Sequence, residues 1–235
     1  MMQTQGRSAR MERAFDQMTA EYGRPTATER FTAAGVYDKL GLLVLLALAA
    51  GTAGYISHNI GLVLLGMVGG LVFGLIGRFK PATATYMAPL YAIAEGLCLG
   101  ALTALLATGN NGLVSMAIIF TGAIFIAALV IFRTGLVKVT PRFASMTMMA
   151  AFGFIAVIIA SWLGVPGLTG AGADLVIGVI GVAIGVAFMF MDFNYIQIGE
   201  QRGLPAQGEW YGALILMTSL VFVYINVLRI LARRR

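Results

Sequence analysis

Seven apolar runs separated by short polar turns leave this chain few ways to fold. They cover about 36–57, 60–78, 85–107, 112–132, 143–164, 173–197 and 210–231. Each approaches or exceeds the ~20 residues that an α-helix needs to cross a hydrocarbon core of ~30 Å. The breaks carry turn chemistry, as at His58–Asn59, Lys80–Pro81, Thr140–Pro141 and Gly203–Leu204–Pro205. No connection is long enough for a soluble domain. The pattern predicts an all-α integral membrane domain of seven transmembrane helices over residues 36–231, between a mixed-charge tail of residues 1–35 and a basic tail of residues 232–235.

Composition agrees, with 59% hydrophobic and 11% charged residues, against about 25% charged in a soluble domain. The formal charge of +6 does not point to nucleic acid, because the basic residues flank the spans, where they record orientation. With the amino terminus in the cytoplasm, 12 of the 16 Lys and Arg residues fall on that side. They are the six through Lys39, then Arg78, Lys80, Arg133, Lys138, Arg142 and Arg202. Arg229 and Arg233 to Arg235 follow the seventh run. Either the carboxyl terminus is external or one of the last two runs is re-entrant, and the larger amino-terminal signal favours seven full crossings.

The first 35 residues are polar and the first apolar run lacks a cleavage site, so no signal peptide is expected. Within this tail Arg13, Phe15, Met18 and Tyr22 sit at helical spacing. They read either as a short interfacial helix or as part of a partly disordered cytoplasmic tail. Inside the spans, glycines recur four residues apart at Gly66, Gly70 and Gly74, at Gly96 and Gly100, and at Gly181 and Gly185. Small residues at that spacing let helix backbones approach closely, and packing within the chain is favoured over dimerisation.

Polar chemistry inside the membrane is scarce. Cys98 stands alone, which excludes an intramolecular disulfide, and it reads as a packing residue. His58 is the one histidine and sits at a turn, so neither a Ser/His/Asp triad nor a multi-histidine metal site can be assembled. The chain is not expected to be an enzyme. Two acids lie well inside spans, Glu95 and Asp192. An ionised side chain at the bilayer centre costs roughly 2.5–3.5 kcal/mol even on lenient scales, so it persists mainly where it faces protein or water. Counted at 1.5 Å per residue, Glu95 lies about 12 Å and Asp192 about 9 Å from the cytoplasmic end of its span. At one level of a bundle, two such carboxyls would titrate as a coupled pair, with Arg78 as a candidate counter-ion.

Two blocks then resemble a known family. The first is Met191-Asp192-Phe193-Asn194-Tyr195-Ile196, followed by Gly203-Leu204-Pro205, Glu209-Trp210-Tyr211 and Leu228-Arg229-Ile230-Leu231. The second is the run from Pro89 to Gly100, with Tyr91-Ala92, Glu95-Gly96 and Gly100. Together they resemble the Bax inhibitor-1 family, in its bacterial branch, over about residues 36–231. The resemblance implies seven helices with the last at the bundle centre and a pH-sensitive leak pathway for calcium ions. It also implies a place in a bacterial cell membrane. Bacterial relatives are linked to regulation of membrane proteases, and eukaryotic ones to suppression of cell death.

In that family an acid in the sixth helix pairs with one in the seventh as the pH sensor. Asp192 matches the first. At the second position the chain departs from the pattern. Ser219, about 13 Å into the last run, is level with Asp192, and Asn226, about 24 Å in, stands just before Leu-Arg where this branch often has an acid. Asn194 and Gln197 are likewise amides in place of carboxylates. An amide hydrogen-bonds but does not titrate, so the expected sensor is Asp192 with Glu95, Ser219 and Arg78. Fewer acids also weaken attraction for calcium, which prefers several oxygen ligands. Any calcium at Asp192 and Glu95 is expected to be the transient permeant ion, with no resident cofactor. The competing reading is a membrane scaffold that regulates a protease or another partner without conducting ions.

Overall fold

Each short connection is built from the residues that stop one helix and start the next. In the computed structural model, which describes residues 30–106 and 112–232, α1 spans Ala33–Ser57 and stops at His58, whose φ of 47° is left-handed. Asn59 then caps α2, Ile60–Phe79, by accepting from the Gly61 N–H at 2.8 Å. One turn of 3-10 helix, Pro81–Thr83, leads into α3, Ala84–Leu106. After α4, Gly112–Arg133, Thr140 caps α5, Pro141–Trp162, by accepting from Phe143 N–H at 3.1 Å, with Pro141 at the first helical position where no N–H is needed. The chain ends in α6, Ala171–Gln201, and α7, Gly208–Ala232.

All seven helices are long and apolar enough to cross a membrane. Helices suit that setting because they satisfy every backbone polar group within one segment. The chain is a multi-pass membrane protein. In α7, 56% of the spanning window is buried, against 17% in α1, α2, α4 and α5. The last helix is thus the most enclosed of the seven. The expected interfacial helix of residues 13–22 and the tail of residues 233–235 lie outside the described residues.

The described residues fall into two units, one of residues 30–102 with 194–218 and one of residues 103–193 with 219–232. In the first, glycines bring helix backbones together. Ala47 lies against Gly96, Gly51 against Gly96 and Gly100, and Gly54 against Leu97 and Ala101, so α1 and α3 advance in the same direction. Gly66 meets Ala94 and Cys98, while Gly74 meets Tyr91, so α2 runs antiparallel to α3.

In the second unit α6 and the last half of α7 are antiparallel. Gly178 faces Ile230, Gly181 faces Asn226 and Gly185 faces Val223. Lipid supplies no hydrophobic drive between helices, so close approach over small residues carries this packing. Phe154, Ile177 and Ile184 form its apolar centre, and the Phe222 ring is edge-on to both Phe154 and Phe188.

Candidate functional site

Asp192 sits on α6 in the second unit and is 7% exposed. It is held where the antiparallel register of α6 and α7 sets it opposite Ser219, which is 6% exposed. The Ser219 hydroxyl donates to Asp192 Oδ2 at 2.5 Å, at the short end of the range for a hydroxyl on a carboxylate. The neighbours of Asp192 along α6 pack on aromatic rings. Phe193, the next residue, packs with its ring centroid 5.7 Å from Phe125 and 5.6 Å from Phe132, both on α4. Phe190 stacks against Phe143 of α5 at 6.5 Å.

The hydroxyl partner has a chemical consequence. A serine O–H donates to an ionised carboxylate and its oxygen accepts from a protonated one. Asp192 and Ser219 can therefore stay bonded in either protonation state, with the donor and acceptor exchanged. Asn226 lies two turns further along α7, 2% exposed, with its amide donating to the Phe222 carbonyl at 2.8 Å and its side chain packed over Gly181. It packs the α6–α7 contact. Also in this unit, the fully buried Thr103 shares a 3.2 Å hydrogen bond with the Tyr224 hydroxyl.

Glu95 belongs to the first unit. It is half-buried on α3, and its carboxylate lies over Gly70 of α2, where a Cβ would collide with it. Arg78 is exposed in the last turn of α2 and makes no ion pair with Glu95. Both acids are deeper along their helices than the apolar runs suggested. The helix carrying Asp192 continues to Gln201, nine residues on, or about 14 Å. Glu95 is eleven residues past Ala84, or about 16 Å. Polar residues Gln197, Glu200 and Gln201 masked the true end of α6. Among the described residues no three His, Cys, Asp or Glu side chains gather into a group able to hold a metal ion.

One acid was missed by counting residues inside apolar runs. Glu209, in the first turn of α7, is only 5% exposed. It accepts from the Thr32 N–H at 2.8 Å, the Thr32 hydroxyl at 3.0 Å and the Lys39 ammonium at 2.5 Å. The signal available was Lys39, a cation in the second turn of α1, which calls for either an acid partner or a snorkelling route to the interface.

Among comparisons with known proteins, the family model described as Bax inhibitor 1 like matches residues 5–235. No curated protein matches the chain.

Proposed function

The chain belongs to the Bax inhibitor 1 like family, and we propose that it is a pH-sensitive cation leak channel, passing calcium, of a bacterial cell membrane. The amino terminus is cytoplasmic in this reading. The observation that supports it most is the buried Asp192–Ser219 pair inside a membrane span. An ionisable group there is costly unless it serves a pathway or a partner. Here the partner is a hydroxyl, which tolerates gain and loss of the proton.

In this mechanism a proton bound at Asp192 neutralises the helix pair and a proton lost leaves a negative charge that attracts a cation. Ser219 holds the carboxyl in place through both states. Asn226 keeps α7 packed on α6 through Gly181, and Glu95, within the first unit, supplies a separate acid for the permeant ion.

The test is calcium efflux from proteoliposomes measured across pH. Asp192→Asn keeps the size and a hydrogen-bonding carbonyl but removes the titration, so efflux should lose its pH dependence. An unchanged pH response in Asp192→Asn overturns the reading. Wild-type vesicles that retain calcium at every pH would favour the regulatory scaffold instead.

A further inference from the structure

The segment before α1 is fastened to the α6–α7 corner by an arrangement that the leak reading does not use. Phe31 is 1% exposed, and its ring lies over Gly199 beside the Leu204 side chain, which meets the same glycine. A Cβ at Gly199 would come within 3.2 Å of that ring, so the missing side chain makes the seat. The Phe31 N–H donates to the Leu204 carbonyl at 2.7 Å, and Arg30 bridges Pro205 in antiparallel fashion.

The next two amides are held by carboxylates. Thr32 N–H donates to Glu209, and Ala33 N–H donates to Glu200 Oε1 at 3.1 Å. Two acids from the flanks of one corner thus cap a single helix N-terminus, whose positive dipole end favours negative charge. Glu209 also takes the Thr32 hydroxyl and the Lys39 ammonium. The ammonium rests 5.7 Å from the centre of the Trp210 ring. Gly35 faces the Glu209 carboxylate, so no side chain separates the helix from the acid. The other charged groups nearby, Arg30, Asp38 and Arg202, are exposed.

These fastenings differ in kind from those of the rest of α1. Beyond Leu40 the helix is held by backbone contact with α3 at Gly51 and Gly54. Ahead of Leu40 three polar fastenings end on Glu209, while the Phe31 and Ala33 amides are held by Leu204 and Glu200 on either side of it. Removing one carboxylate would remove all three together.

We propose that residues 30–39 form a releasable strap, clamped at Glu209, that closes the α6–α7 corner and opens as one unit while the remainder of α1 stays packed. Because Glu209 begins the helix that carries Ser219, an open strap leaves the start of α7 free to shift. This consequence for conduction rests on the leak reading; the release of the strap does not.

Hydrogen exchange of the full chain in detergent micelles tests it, followed by mass spectrometry of peptides covering residues 30–57. Glu209→Gln and, as a milder change, Lys39→Met should speed exchange at Phe31, Thr32 and Ala33 together by about tenfold or more, as expected for a local opening, with residues 43–57 unchanged. Unchanged rates at the three amides, or an equal rise throughout α1, overturns the strap. In vesicles whose wild-type protein carries calcium, both variants should raise efflux severalfold. Faster exchange with unchanged efflux there overturns the regulatory role. If the wild type carries no calcium, the leak reading fails and the exchange result alone decides the strap.

Discussion

Two buried acids, one in each unit, meet opposite partners. Glu209 is held by an ammonium, a hydroxyl and a backbone amide. Asp192 is held from α7 by a hydroxyl. The difference teaches what each can do. An ammonium carries a full positive charge and three donors, so its bond to Glu209 is charge-assisted. A hydroxyl can reverse its role, so the Asp192 pair survives a change of proton. The first arrangement suits a clamp, and the second is compatible with the titration proposed for Asp192.

The glycines draw a parallel contrast. In the first unit Gly100 faces the backbone of Gly51, which cannot move aside. In the second, Gly185 faces side chains, those of Val223 and Phe222, which yield more readily than backbone although the buried, β-branched Val223 yields only in part.

The largest effect that would test the contrast comes from unpairing the clamp. Losing one partner of a buried ion pair costs roughly 3–5 kcal/mol, and Lys39→Met should fall near the lower end, about 3 kcal/mol, because the Lys39 side chain is about a quarter exposed and Glu209 keeps both Thr32 donors. A thermal unfolding midpoint in detergent that stays at the wild-type value would show that Glu209 does not depend on it. Next is Gly100→Ala, which should cost about 2 kcal/mol in the same assay, since overpacking against a fixed backbone outweighs the ~1 kcal/mol that alanine gains in helix propensity. Ser219→Ala leaves the buried carboxylate one donor short and should cost about 1–2 kcal/mol. It should also change the pH dependence of calcium efflux, and an efflux profile identical to wild type would remove Ser219 from the pathway. Smallest is Gly185→Ala, expected to cost about 1 kcal/mol, because its Cβ would meet Val223 Cγ2 at 2.5 Å and that buried β-branched side chain yields only in part. Equal losses at Gly100 and Gly185 would erase the distinction between the units.

The candidate site was only partly legible before the structure. Asp192 stood out because an acid inside an apolar run is conspicuous wherever it is placed. Ser219 was expected level with Asp192, and Asn226 stood where the family often has an acid, but counting along one helix gives depth and not facing. The register of Gly178, Gly181 and Gly185 against Ile230, Asn226 and Val223 decided between them. It assigned Asn226 to packing over Gly181 and Ser219 to the carboxylate. Glu209 was read only as part of the block Glu209-Trp210-Tyr211, because an acid in the first turn of a helix ordinarily faces water and the helix dipole.

What the amino-acid sequence determined by itself is the seven-span membrane architecture, the short turns and the family. These depend on local quantities: the length of an apolar run, a Thr or Asn at a helix start, a proline or left-handed residue at its end. What the tertiary structure alone decided is partnership. Thr32 and Lys39 are more than 160 residues from Glu209 along the chain, and Asp192 is 27 residues from Ser219. Whether a buried acid meets an ammonium or a hydroxyl depends on helix register and rotation. Those are set by which glycines allow two backbones to touch, and no local pattern encodes that choice.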